Sequence, residues 1–205
     1  MKEFLMNIHP ELAELLSFFV SVALLQNIIL TTGFGSSVML HMVKKPKNIW
    51  LFSAILGFFS VLTVLIAYPL DQRFGVESTN LWRPVMMVGI TVALYVITAL
   101  LLQWRLPDFY SRISRLLPMA AFNNLVTGIA LVCNAHFGTT LAGNVGLAIG
   151  SSLSFGILTW LTAEGIERMD NPDMPETFRG MPSTLLYVGL LALALMGFVS
   201  DFSLL

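Results

Sequence analysis

LLSFFVSVALLQNIILTTGFGSSVMLHMV, residues 15–43, is a stretch without a single charged side chain. As one continuous helix it would be about 43 Å long, against about 30 Å for the hydrocarbon core of a bilayer. Polar residues and glycines interrupt its middle, and they are Gln26, Asn27, Thr31, Thr32, Gly33, Gly35, Ser36 and Ser37. Because non-helical backbone at membrane depth must be buried in protein or line a cavity, we predict a membrane helix broken at Gly33 and Gly35.

The placement of charge predicts a membrane protein with six spans. Of all residues 56% are hydrophobic and 11% are charged, whereas about a quarter are charged in a typical soluble domain. Long uncharged stretches cover residues 15–43, 48–70, 84–104, 116–163 and 180–200. A spanning helix needs about 20 apolar residues, so four stretches hold one span each. Residues 116–163 hold two, with a turn near 134–140. No ionisable residue falls inside a predicted span, so a buried charge relay is not expected.

A second polar interruption opens the other half of the chain. Residues 123–128 read NNLVTG, and like the segment from Gln26 they run polar residue, Asn, two aliphatic residues, Thr and Gly. We therefore predict an all-α membrane protein of six transmembrane helices in two inverted three-helix repeats, with the first helix of each repeat broken. Residues 1–205 form one transmembrane domain, with 1–104 as the first repeat and 105–205 as the second. Such breaks commonly meet near the membrane midplane.

Basic residues predict the orientation. Eight Lys and Arg fall in the loops near 42–49, 105–115 and 164–180, against Lys2, Arg73 and Arg83 on the other side. The positive-inside rule then predicts a multi-pass protein of the inner (cytoplasmic) membrane with both termini on the outer side. Residues 1–14 do not resemble a cleaved signal. A net charge of −1 offers no basic patch, so no nucleic-acid partner is expected.

Several short motifs resemble those of the six-span membrane subunits of the Rnf and Nqr ion-translocating electron-transport complexes, most closely the RnfA-type subunit. They are Asn27 through Gly35 to Lys44-Lys45, Leu117-Pro118 before Asn123, Glu167-Arg168, PETFRG at 175–180 and LMGF at 195–198. The resemblance covers about residues 20–200. It implies an integral membrane subunit that pairs with a sister six-helix subunit, or with a second copy of itself, and is at most a non-catalytic part of an ion-translocating oxidoreductase.

The resemblance also implies cofactor positions that this chain fills differently. In the family each helix break carries a cysteine, and cysteines of two sister subunits hold an iron–sulfur centre inside the membrane. The matching positions here are Ser37 and Asn124, whose neutral side chains are poor substitutes for thiolate. Cys133 lies more than two helical turns beyond Asn124 and does not replace the missing ligand. We therefore expect no cofactor bound by this chain alone and a divergent paralogue without its own iron–sulfur ligands.

A second function stays open: a stand-alone or homodimeric carrier that binds a small solute or ion at the paired half-helices. The candidate ion or solute path consists of Asn27, Thr31, Thr32, Gly33, Gly35, Asn123, Thr127 and Gly128. The same polar side chains also suit interhelical hydrogen bonding. No catalytic residues are predicted. The three histidines show no metal-ligand spacing, so no metal site is predicted either. Gly146 and Gly150 have the spacing of a close helix–helix contact.

Overall fold

The computed structural model describes residues 10–22, 29, 33–74, 82–136, 140–169, 175, 177 and 179–202. Within these residues the chain is helical and contains no strand. The helices are α1 (Pro10–Val20), α2 (Ser36–Met42), α3 (Ile49–Phe74), α4 (Trp82–Arg105), α5 (Pro107–Ile113), α6 (Leu116–Ala121), α7 (Asn124–His136), α8 (Leu141–Met169) and α9 (Met181–Phe202).

The described helices are long and apolar enough for a multi-pass membrane protein. Four segments qualify as candidate spans, and they are Pro46–Arg73, Trp82–Arg105, Leu116–Cys133 and Leu141–Met169. A shorter apolar helical segment, Met181–Leu195, follows them. The prediction of an all-α membrane protein is confirmed. The finer arrangement of six spans in two inverted repeats goes beyond these segments, since part of the predicted first span falls outside the described residues.

Helix α8 lies at the centre of the bundle, and its glycines lie directly against the backbone of α1. A Cβ atom on Gly146 would collide with the carbonyl oxygen of Leu15, and one on Gly150 would lie 2.8 Å from the carbonyl oxygen of Phe19. Residue numbers rise together along the two helices, so α1 and α8 run in the same direction. The predicted packing role of Gly146 and Gly150 is confirmed.

The opposite side of α8 packs on α3. A Cβ atom on Gly57 would lie 2.7 Å from the Ser152 Oγ, and one on Gly156 would lie 2.9 Å from the Ser53 Oγ. The Ser53 hydroxyl donates a hydrogen bond to the backbone carbonyl of Ser152. Residue numbers run in opposite senses across this contact, so α3 is antiparallel to α8.

Replacing Gly146 with alanine should destabilise the protein even though alanine is the better helix former. The added methyl group meets rigid backbone of α1, and overpacking of this kind costs about 1–3 kcal/mol. Gly89→Ala is the matched control, because no atom lies within 4 Å of a Cβ at Gly89 in α4. Thermal unfolding in detergent should show a lower midpoint for Gly146→Ala and an unchanged or higher one for Gly89→Ala. Equal midpoints for the two variants would contradict the close approach of α1 and α8.

An ion pair joins the facing ends of α3 and α4. The Arg83 guanidinium donates from Nε to Asp71 Oδ1 at 3.1 Å and from Nη2 to Asp71 Oδ2 at 2.9 Å, and both residues are buried. The prediction that no ionisable residue lies in a span is therefore wrong, since Asp71 and Arg83 fall within candidate spans. The uncharged stretches that end at residue 70 and resume at residue 84 imply a connection at 71–83, but α3 extends to Phe74 and α4 begins at Trp82. Because the two charges neutralise each other, Asp71 can lie inside the last turns of α3 and Arg83 inside the first turn of α4.

A double-mutant cycle measures how much this ion pair contributes to the free energy of unfolding. Arg83→Gln removes one partner of a buried ion pair, which should cost about 3–5 kcal/mol. Asp71→Asn/Arg83→Gln removes both charges and should be less destabilised than the sum of the single variants. The measurement is denaturant unfolding of each variant in the same detergent. Strictly additive losses would show that the two side chains do not interact in the folded protein.

Candidate functional site

The first interruption lies where its glycines predicted it. Gly33 and Gly35 have φ angles of +74° and +77°, a left-handed conformation that is costly for residues with a Cβ atom. The turn is closed by a hydrogen bond from the Ser36 amide to the Gly33 carbonyl at 3.2 Å. The Met39 amide then donates to the Gly35 carbonyl at 2.9 Å, so helix α2 begins directly after the turn.

The second interruption separates α6 from α7 at Phe122 and Asn123. Asn123 is 1% exposed and acts as the N-cap of α7, because its Oδ1 accepts a hydrogen bond from the Leu125 amide at 3.0 Å. An N-cap of this type satisfies a backbone donor that the first helical turn leaves unpaired. The ring of Phe122 packs against Tyr95 of α4 with 5.1 Å between centroids, which ties this break to the bundle.

The two interruptions touch each other. A Cβ atom on Gly35 would lie 3.0 Å from Asn123 Oδ1 and 3.4 Å from the Leu125 Cβ. In return, the ring of Phe34 covers Gly128, where a Cβ atom would overlap the ring carbons. Each break therefore supplies a glycine that makes room for a side chain of the other.

The two breaks lie at similar distances along the chain from the nearest basic residues. Gly35 precedes Lys44 by nine residues, and Asn123 follows Arg115 by eight. At about 1.5 Å per helical residue, both breaks lie about 12–14 Å from the basic end of their segment, and half of the hydrocarbon core is about 15 Å. From these lengths we predict that the two interruptions lie at a depth where water is scarce.

The carboxamide of Asn123 also fixes the chemistry of this junction. Its oxygen caps α7. Its Nδ2 is buried and has no hydrogen-bond partner among the residues that the structure describes. A Cβ on Gly35 would lie 3.5 Å from this Nδ2. Because Nδ2 only donates, any partner of this group has to be a hydrogen-bond acceptor. An acceptor oxygen or an anion matches this group, whereas a bare cation does not.

The remaining predicted site residues divide into three groups. Gly35, Asn123 and Gly128 are buried at the junction, whereas Gly33, Ser37 and Asn124 are exposed. Thr127 is half-buried, and its hydroxyl donates to the Asn124 carbonyl at 3.3 Å. Asn27, Thr31 and Thr32 lie outside the described residues.

The sequence prediction missed two residues that complete the junction, Phe34 and Leu125. The only available signal was the position of Phe34 between two glycines, which places a large ring on the break itself.

The side chains present do not fit an iron–sulfur centre. Ser37 and Asn124, the two positions that match the family's cluster cysteines, carry no thiolate. Cys133 is buried, its Sγ lies 3.9 Å from the Asn144 carbonyl, and it is about 13 Å further along α7 than Asn124. In the described part of the chain, no three His, Cys, Asp or Glu side chains are grouped to hold a metal ion.

These features define a multi-pass integral membrane protein with two facing helix interruptions. Comparison with known families is consistent with this class, since the family model described as "Rnf-Nqr subunit, membrane protein" matches residues 15–200. The chain therefore belongs to the Rnf-Nqr family, as its motifs predicted.

Similar proteins that are named as subunits of an ion-translocating oxidoreductase complex occur in several bacteria. The protein from Pasteurella multocida is 27% identical over 188 residues, which cover 91% of this chain and 97% of the relative. The protein from Azoarcus sp. is 28% identical, with the same coverage of both chains. The protein from Vibrio cholerae is 23% identical over 196 residues, 94% of this chain and 90% of the relative. The likeness extends over nearly the whole chain.

Substitutions at the two glycines of the first break should separate backbone strain from crowding. Gly33→Ala and Gly35→Ala each place a Cβ in a left-handed conformation, at a cost of about 1–2 kcal/mol. Only Gly35→Ala also crowds Asn123, because no atom of the described residues lies within 4 Å of a Cβ on Gly33. Gly35→Ala should therefore lower the thermal midpoint more than Gly33→Ala. The difference should shrink in an Asn123→Ala background. A difference unaffected by Asn123→Ala would contradict the contact between the two breaks.

Proposed function

We propose that this chain is an integral membrane subunit of an Rnf/Nqr-like redox-driven ion-translocating electron-transport complex. It is a divergent paralogue that contributes the membrane scaffold and part of a path through it, without iron–sulfur ligands of its own. The observation that carries this proposal is the contact of Gly35 with Asn123, two residues of the motifs on which the resemblance to the family rests. The names of the similar bacterial proteins support the same assignment.

The helix contacts support the two inverted repeats. Segment α1 packs on α8, while α6 and α7 pack on α3, so the broken helix of each half contacts the second long helix of the other half. In both contacts the two helices run in the same direction. Helix α1 is parallel to α8. Helices α7 and α3 are parallel to each other because each is antiparallel to α8, as Cys133 opposite Asn144 and Gly57 opposite Ser152 indicate. A two-fold axis in the membrane plane would relate the contact of α1 with α8 to the contact of α6 and α7 with α3. We assign residues 1–104 and 105–205 to the two repeats, with both termini on the outer side of the inner membrane.

A protein partner covers the junction in this proposal. Gly33, Ser37 and Asn124 are exposed, yet they lie at the depth estimated for the breaks. Lipid tails satisfy neither polar side chains nor non-helical backbone. A sister six-helix subunit, or a second copy of this chain, would bury these residues by packing its own broken helices against them.

One observation favours the alternative, a carrier that binds a small solute directly at the paired half-helices. Among the described residues, the Asn123 Nδ2 is a buried donor without a partner, and such groups in native proteins call for an explanation such as a bound ligand. In this case the purified chain would be a homo-oligomer whose thermal midpoint rises with a specific solute that accepts hydrogen bonds.

Site-directed cross-linking should locate the partner and identify it. In a Cys133→Ser background, Ser37→Cys or Asn124→Cys should cross-link to another chain in native membranes, because both positions are exposed at the junction. Leu193→Cys, which is 67% exposed on α9, is the control and should remain uncross-linked. The mass of the product distinguishes a sister subunit from a second copy. Failure of both junction positions to cross-link in membranes that hold all partner proteins would contradict a covered junction.

Iron analysis tests the divergence from the family. The isolated chain should contain no stoichiometric iron, and Cys133→Ser should leave the iron content unchanged. Co-purification with sister and flavin-bearing subunits is the expected sign of the electron-transport assignment. Stoichiometric iron that survives Cys133→Ser would show that Ser37, Asn124 or their neighbours do provide ligands.

A further inference from the structure

The end of α4 and the beginning of α5 enclose a surface cavity of about 350 Å³. The residues that line it are Arg105, Leu106, Pro107, Asp108, Phe109 and Arg112. None of them belongs to the helix-break junction. The cavity lies where a candidate membrane span ends and the chain turns into the short helix α5.

The polar lining of the cavity consists of Arg105, Asp108 and Arg112. Neither Arg105 nor Arg112 forms an ion pair with a carboxylate in the described part of the chain, even though Asp108 lines the same cavity. Two guanidinium groups and one carboxylate leave a net charge of +1. Planar guanidinium groups are suited to bidentate contacts with phosphate oxygens, so the cavity matches a group with a single negative charge.

The apolar lining places this charge at a membrane surface. Leu106 is 55% exposed and Phe109 is 45% exposed, while Trp104 is 76% exposed in the last turn of α4. Tryptophan is enriched at the boundary between hydrocarbon and headgroups. The Arg105 guanidinium lies 4.9 Å from the centre of the Trp104 ring. On the other face of α5, Ile113 is buried and anchors this helix against the bundle.

We propose that this cavity binds the headgroup of an anionic phospholipid. The phosphodiester lies between Arg105 and Arg112, the hydroxyl groups of a glycerol headgroup donate to Asp108, and the acyl chains follow Leu106, Phe109 and Trp104. A singly charged phosphodiester matches the net charge of the cavity, whereas free inorganic phosphate provides neither the glycerol hydroxyls nor the acyl chains. Basic pockets at the ends of membrane helices recognise anionic lipids in this way.

Native mass spectrometry of the full-length chain in detergent tests the proposal with phosphatidylglycerol as the probe. Phosphatidylglycerol should bind at least about tenfold more tightly than phosphatidylcholine or phosphatidylethanolamine, since charge-assisted hydrogen bonds of this kind account for a factor of that size. Arg105→Gln/Arg112→Gln should weaken phosphatidylglycerol binding by about the same factor. Arg105→Lys/Arg112→Lys should have an intermediate effect, because it keeps the charge and loses the bidentate geometry.

The control removes the same charge from another exposed segment. Lys45→Gln/Lys47→Gln should change phosphatidylglycerol binding less than about twofold, because neither lysine lines the cavity. Equal losses in the two double variants would overturn the proposal in favour of diffuse charge attraction. Equal affinity for the three lipids would also overturn it. So would displacement of phosphatidylglycerol by millimolar inorganic phosphate, which would show a free-anion site. Circular dichroism and the thermal midpoint verify that each variant is folded.

Discussion

The carboxamide of Asn123 lies against the Cα atom of Gly35, and the rest of the structure depends on this contact. A membrane helix that stops midway leaves backbone donors and acceptors unpaired at a depth where lipid offers no replacement. In α7 the Asn123 side chain accepts a hydrogen bond from the Leu125 amide, which would otherwise be one of these unpaired donors. Gly35 accepts the left-handed turn and has no side chain to hold the two segments apart. Each break thus satisfies or accommodates its own backbone, and each leaves room for a side chain of the other.

The neighbouring helices keep the breaks in place. A broken helix has less internal rigidity than a continuous one, so its position must come from packing. Glycines on α8 bring α1 to backbone contact, and Ser53 of α3 bonds to the backbone of α8. These contacts hold the central pair α3–α8 against the broken segments. The buried Asp71–Arg83 pair then fixes α4 against α3.

Residue chemistry predicted the parts of this arrangement that depend on local sequence. Two glycines, one residue apart and among polar residues, predicted the break at Gly33 and Gly35, and the polar interruption at Asn123 predicted its counterpart. The order and spacing of the motifs predicted the family, which is confirmed. The packing of Phe34 on Gly128 was missed because the direction of a side chain depends on how two remote segments meet. The pair of Asp71 and Arg83 was missed because a sequence does not show that two separated charges will neutralise each other, so charged residues at the ends of a stretch are assigned to the connection.

The most direct test of the central contact is a disulfide between the two breaks. A Cβ on Gly35 lies 3.4 Å from the Leu125 Cβ, close to the separation of about 3.5–4.5 Å found in disulfides. Gly35→Cys/Leu125→Cys, made in a Cys133→Ser background and oxidised in native membranes, should yield the 35–125 linked peptides in mass spectrometry. Gly33→Cys/Leu125→Cys should yield none. Absence of the 35–125 link from folded protein, or equal linkage in the control, would show that the two breaks do not meet.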